Sequence, residues 1–332
     1  MEINSEIRRL IELGTKAPSG HNSQPWKFKV IDDRIEIHPN FSCSLPVVDP
    51  SHRELYISLG CAGENICAAA PAFGYIANWS SNLTPSGKYS IQIDLKKAEL
   101  EPDNSMPKLI LERQSNRSIF KGKFIEEEKI DMLKRVSLEE NINAYFFKKD
   151  SIQSNVIKNF IMQGNEIQMN DTNFKNELLS WIRFNQGHVN KTRNGLTYRV
   201  MGAPPMPKFL GKMIVKSFLK PEKQNKSDQQ KIDSSSHFVL LTSNNNTPAE
   251  WIALGFSLER LLLKLTELGI ANAYLNPPCE VDLLSDEFKN SLQMNGYPTI
   301  IMRIGYADKT PYSPRREVEE VLLNNESSIG KQ

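Results

Sequence analysis

A nine-residue pattern beginning at Ile57 returns, in register, further down the chain, with its Ile, Leu, first Gly and Glu identical. Ile57-Ser58-Leu59-Gly60-Cys61-Ala62-Gly63-Glu64-Asn65 recurs as Ile252-Ala253-Leu254-Gly255-Phe256-Ser257-Leu258-Glu259-Arg260, so that Gly60 aligns with Gly255 at an offset of 195. The same offset aligns Gly74 with Gly269, the glycines that stop the two segments. An apolar run that reads as a strand follows each stop, and a proline turn (Asp49-Pro50, Thr247-Pro248) precedes each copy. A repeat of this length predicts two like units built around like helices. The plainer reading is that two helix–turn–strand units share a common grammar. The paired internal Gly and Glu argue against that, because helix grammar requires neither.

Around the repeat, apolar periodicity predicts a helix over 3–15, a hairpin of strands 26–31 and 35–38, and a long helix over 53–73. Strands are predicted at 75–79 and 89–95, then a basic-ended segment at 109–117, a helix over 126–136 and a strand at 144–147. A helical stretch runs over 151–184. Residues 180–233 read as irregular, with Gly187, Gly195, Gly202, the run Ala203-Pro204-Pro205-Met206-Pro207 and a polar linker at 221–236. A segment this long without clear structure is a lid, a binding loop or a linker. Met201, Met206, Phe209, Leu210 and Met213 argue against a linker alone. Strand 237–242, helix 248–268 and strands 270–275 and 299–304 complete the pattern, followed by a tail from Gly305.

The charge balance excludes some functions. With 41 basic and 39 acidic residues in 332, the net charge of +2 carries no nucleic-acid signature. The nearest basic patch, Lys208 to Lys226, is interleaved with apolar residues. No apolar run approaches bilayer-spanning length and the first residues are charged rather than signal-like, so a cytoplasmic location without a membrane partner is expected. Cys43, Cys61, Cys67 and Cys279 show no disulfide framework, and Cys61 and Cys67 read as small buried residues. The five histidines lack metal-ligand spacing. Phosphate-cradling glycine loops and nucleophile elbows are also missing from the sequence.

Three motifs remain. Ala17-Pro18-Ser19-Gly20-His21-Asn22-Ser23-Gln24-Pro25-Trp26-Lys27-Phe28 is a tight loop with a high density of hydrogen-bonding groups. Such a loop either braces its own backbone or holds a ligand. Arg113-Gln114-Ser115-Asn116-Arg117 sets two guanidiniums around a hydroxyl, which suits a phosphate, although a solvated helix end is the commoner role of such a pair. Tyr312-Ser313-Pro314-Arg315-Arg316 adds two arginines after a rigid turn.

Together these motifs resemble the FMN-dependent nitroreductase family: Pro-Ser-x-x-Asn-Ser-Gln-Pro-Trp at 18–26 its signature loop, 113–117 its phosphate motif, and 312–321 its C-terminal basic motif. The resemblance implies an α+β, nitroreductase-like fold, with mostly antiparallel sheets flanked by helices. Members are homodimers whose flavin sites draw on both subunits. Here each motif occurs once, so the repeat reads as a fused pseudo-dimer, similar to the Acg-like subgroup. Its halves would be residues 1–108, carrying the loop, and 109–332, carrying the phosphate motif and a lid-like insertion near 185–235. One FMN per chain is implied, with the second pseudo-site vestigial.

By position, Arg113, Gln114, Ser115, Arg117 and Arg315 would hold the phosphate and ribityl end. Pro18, Ser19, Gly20 and Asn22 would line the isoalloxazine, with Leu275 and Asn276 at its N5 edge. Pro277 there lacks an N–H, and Ser313 replaces the family's usual lysine. NAD(P)H would reduce the flavin and a nitroaromatic, quinone or similar small acceptor would reoxidise it, with no side chain assigned as catalytic and no metal. The alternative is a flavin-binding or storage protein whose insertion occludes the flavin. The chain would be a monomeric pseudo-dimer or pair further.

Overall fold

The computed structural model describes residues 3–99, 101 and 103–323. Helix α1 (Ser5–Gly14) is capped by Asn4, whose side chain accepts from the Glu6 N–H at 2.8 Å. Strands β1 (Trp26–Ile31) and β2 (Arg34–Pro39) form the expected hairpin, with Asp32 supplying the left-handed turn at φ 51°. Helix α2 (Arg53–Ala69), β3 (Tyr75–Leu83) and β4 (Tyr89–Lys97) follow. The four strands pair antiparallel in the order β1-β2-β4-β3. Trp26 and Phe28, Ile35 and Ile37, and Ile91 and Ile93 alternate into the core of this sheet.

Next come α3 (Ser105–Glu112), α4 (Glu127–Lys134), β5 (Ile142–Lys148), α5 (Ile152–Asn170) and α6 (Thr172–Trp181). The short parallel pair β6 (Ile182–Arg183) and β7 (Leu196–Thr197) brackets α7 (Gln186–Thr192). Helices α8 (Lys208–Phe218) and α9 (Pro221–Asp233) lead into β8 (His237–Ser243), α10 (Pro248–Glu267) and β9 (Ala271–Tyr274). Short helices α11 (Pro277–Glu280) and α12 (Asp282–Ser291), strand β10 (Tyr297–Gly305) and α13 (Val318–Val321) complete the described chain. The second sheet is antiparallel in the order β5-β8-β10-β9.

In chain order both sheets therefore run first-second-fourth-third, and in each a repeat helix, α2 or α10, joins the second strand to the third. The fold is α+β with two like sheets. One expectation needs correction. Residues 180–233 are largely helical, and the expected polar linker is mostly α9, whose Pro221 sits in the first turn and whose Asp228 and Ile232 face inward.

The two repeat helices pack directly on each other. A Cβ on Gly60 would lie 2.1 Å from the Ile252 carbonyl oxygen, and one on Gly255 would lie 2.2 Å from that of Ile57. Ile57 and Ile252 are themselves repeat partners, so this is the self-complementary contact of a two-fold interface, contained in one chain. The polar pairs follow the same rule. Arg260 bonds Glu64 at 2.9 Å, and its repeat partner Asn65 reaches Glu259 at 3.0 Å with its amide oriented to donate. Each glutamate takes its partner from the opposite copy.

Two segments cross between the sheets. Ser115 pairs with Asn272 along the free edge of β9, and Leu322 pairs with Phe28 along the free edge of β1. These pairings blunt both edges. They also carry the 113–117 segment and the C-terminal arginines towards loop 17–28.

Candidate active site

Between the sheets lies a cavity of about 710 Å³. Its walls bring together all the residues singled out from sequence. Pro18, Ser19, Gly20 and Asn22 line one side; Arg113, Gln114, Ser115 and Arg117 line another. Leu275 and Asn276 close it at the end of β9, and Arg315 reaches it from the C-terminal segment.

Loop 18–24 is held in an unusual conformation. His21, Asn22 and Gln24 take φ of 50°, 55° and 55°, which only a well-determined surround holds for residues with a Cβ. Its polar groups supply that surround. Ser19 Oγ accepts from the Gln24 N–H at 3.0 Å. Asn22 donates to the Gly195 and Pro314 carbonyls, and its Oδ1 accepts from Arg315 at 2.9 Å. Gln24 donates to the Arg193 carbonyl at 2.8 Å and accepts from the Arg316 N–H at 2.8 Å. The loop is thus braced, as one of the two readings has it, and it also forms a cavity wall.

The bracing redistributes the arginine roles. Arg315 donates to the carbonyls of Thr15, Lys16 and Ala17 as well as to Asn22, so its fork fixes the loop rather than facing the cavity freely. Burial, reinforced by the charge of Arg113, lowers its pKa to about 9. Arg113 is buried too, paired with Glu259 at 3.0 Å and donating to the Lys16 carbonyl at 2.8 Å. Its Nη1 has no protein partner, nor has Nε2 of Gln114, whose Oε1 accepts from the Thr310 N–H and hydroxyl. Arg117 is exposed and lines the cavity. The free donor capacity therefore gathers at Arg113 Nη1, Gln114 Nε2, Ser115 and Arg117. Buried donors without partners suit an anionic ligand that accepts from them.

Three further features escape the sequence. His21 lines the cavity, and burial plus the charge of Arg117 lowers its pKa to about 4, leaving it neutral. Glu54 and Glu280 meet in the wall beside Asn276. Glu54 accepts from Asn276 Nδ2 at 3.1 Å and Glu280 accepts from Gln168 Nε2 at 2.6 Å. Burial raises both carboxyl pKa values, and for Glu54 the charge of Glu280 adds to the rise. A Cβ on Gly20 would fall 2.8 Å from Glu54 Oε2 and from a Leu45 methyl, so glycine lets the loop lie against this carboxyl without displacing either side chain. Tyr274, at the end of β9, offers the cavity a hydroxyl with no protein partner.

Repeat symmetry explains why the cavity is one-sided. Cys61 and Tyr274 line it. Their counterparts at the 195-residue offset, Phe256 and Trp79, stack at 4.0 Å between ring centroids. Large rings pack at the place related by the repeat to the one where the cavity has a thiol and a phenol. The four cysteines are free thiols; Cys61 is buried as expected, whereas Cys67 is only half-buried. Among the described residues there is no metal-ligating cluster and no helix long and apolar enough to cross a membrane.

No protein-family model matches the chain. Over 95% of its length it is similar to curated Mycobacterium tuberculosis proteins named as putative NAD(P)H nitroreductases. In particular, it is 21% identical over 324 residues to the one named Rv3131, covering 90% of that protein. It is 23% identical over 331 residues to the one named Acg, covering 95%. A solved structure, the FMN-dependent nitroreductase NfnB from Mycobacterium smegmatis in complex with NADPH, aligns with 68% of this chain and 97% of its own at 13% identity and a TM-score of 0.41.

Proposed function

We propose that this chain is an FMN-dependent oxidoreductase that carries hydride from NAD(P)H to a nitroaromatic, quinone or similar small acceptor. The observation that carries this reading is the meeting of segment 113–117 and loop 18–22 around one cavity, with buried, unpartnered donors on Arg113 and Gln114. The names of the curated relatives support it. When bound, the flavin supplies the hydride chemistry, and the protein supplies position and electrostatics. Gln114, Ser115 and Arg117 hold the phosphate, with Arg113 contributing one N–H edge. Pro18, Ser19 and Gly20 present the loop to the ring system, kept in place by Asn22 and Arg315. Leu275 and Asn276 lie near the same loop, where Asn276 is fixed by accepting from the Ile301 N–H at 3.0 Å and by donating to Glu54, which lies against Gly20. Met201, Val215 and Leu219 contribute apolar side chains to the lining. The cavity's one-sidedness supports one flavin per chain, the two copies acting as a pseudo-dimer; the reading places the protein in the cytoplasm.

A second reading, a flavin-holding protein with little turnover, is favoured by one observation: Val215 of α8 and Leu219 just after it are part of the cavity lining, so the insertion that carries them would stand in the way of nicotinamide. One experiment separates the two. The purified protein is examined for flavin absorbance, then given NADPH or NADH without oxygen. Bleaching supports the oxidoreductase; persistent yellow supports flavin holding. A colourless protein that cannot be loaded with FMN overturns both. Gln114→Ala with Arg117→Ala is expected to release the flavin while circular dichroism stays unchanged.

A further inference from the structure

We propose that the outer face of α8 docks this protein onto an anionic lipid bilayer surface. The helix has three sectors. Gly211 and Val215 turn inward, as does Leu219 just past the helix end, and Gly211 lets the helix settle on Phe184: a Cβ there would lie 2.2 Å from that ring. Phe209, Met213 and Phe218 turn outward at 72%, 66% and 57% exposure, with Leu210 and Ile214 between them. Lys208, Lys212 and Lys216, four residues apart and exposed, form a stripe along one border of that apolar face, and exposed Lys220 follows just past the helix end. Exposed large apolar side chains in a contiguous row mark an interaction surface.

The charge selects the occupant. Residues 199–226 hold seven basic side chains against one acidic, Glu222, whereas the rest of the chain holds 34 basic against 38 acidic. An apolar face bordered by lysines is the pattern of a helix that lies in the interface of an anionic membrane. The lack of a spanning segment does not bear on this, since such a helix does not cross. A second copy fits less well. A helix of this length is roughly 16 Å long and 10 Å wide, which presents far less than the ~800 Å² per partner of a stable interface.

The test uses the full chain and does not depend on flavin or turnover, so it can fail without touching the proposed reaction. Sedimentation with phosphatidylcholine vesicles containing phosphatidylglycerol is compared with phosphatidylcholine alone. Binding only to the anionic vesicles, weakened by salt, is expected. Phe209→Ser with Met213→Ser, and separately Lys208→Gln with Lys212→Gln and Lys216→Gln, should each weaken it at least tenfold with melting temperature unchanged. Absence of binding to anionic vesicles, or equal binding by the variants, overturns the proposal. So does a concentration-dependent dimer in light scattering that Phe209→Ser abolishes, which would give the face to a second copy.

Discussion

Arg113 combines two jobs that usually fall to different residues. Its guanidinium compensates Glu259, both side chains being at most 2% exposed, while its Nη1 is buried without a protein partner in a residue that lines the cavity. Truncating one member of a buried pair leaves the other charge without compensation. Arg113→Ala is therefore expected to cost about 3–5 kcal/mol in urea unfolding, and loss of flavin in that variant would not by itself report phosphate contact. Arg117, exposed and unburdened, gives the cleaner reading. Glu64 allows a pH test. Burial raises its pKa to about 7 from an ordinary 4.5, with Arg260 pulling the other way. The folded state thus holds this proton more tightly than the unfolded chain, and the group's contribution is complete below 4.5 and lost as pH rises through about 7. Relative to the parent, Glu64→Gln should gain stability across that window, the difference levelling off above about pH 8. The motif arginines were visible in sequence because their spacing is local. Their division of labour was not, because Arg315 is committed to carbonyls roughly 300 residues away.

At the level of elements, the contact between α2 and α10 depends on having no side chain at two places. Gly60→Ala would force a methyl against the Ile252 carbonyl, and Gly255→Ala the mirror image. Each should destabilise by about 1–3 kcal/mol by denaturant titration, as overpacking does. The double variant should cost less than the sum, since one separation of the helices relieves both clashes. The repeat made these helices legible, down to the pairing of their glycines. The insertion was less so. Helix α9 is largely polar, with Asp228 and Ile232 as its only buried side chains, so apolar periodicity had little to register. Helix α8 turns much of its apolar surface outward, and the same periodicity could not say which side was core.

For the molecule as a whole, the two units share a topology and differ in what fills the equivalent spaces. Cys61 leaves room that Phe256 occupies on the other side, where it stacks with Trp79. Cys61→Phe is expected to take flavin occupancy from about one per chain towards zero, measured as flavin released on denaturation, while Cys61→Ser retains it. A parent occupancy near two would contradict the one-sided cavity. The single occurrence of each motif anticipated this asymmetry, but the stacked rings that enforce it became apparent only when Trp79 and Phe256 met across the two copies.

Joining two copies in one chain leaves them free to accumulate differences, and most of the chain has taken that freedom. The Gly60–Gly255 contact is exempt. Each position is closed by the other copy's backbone, so neither can acquire a side chain unless the opposite helix moves. Drift elsewhere is a private matter for each copy, whereas these two glycines can only be inherited together.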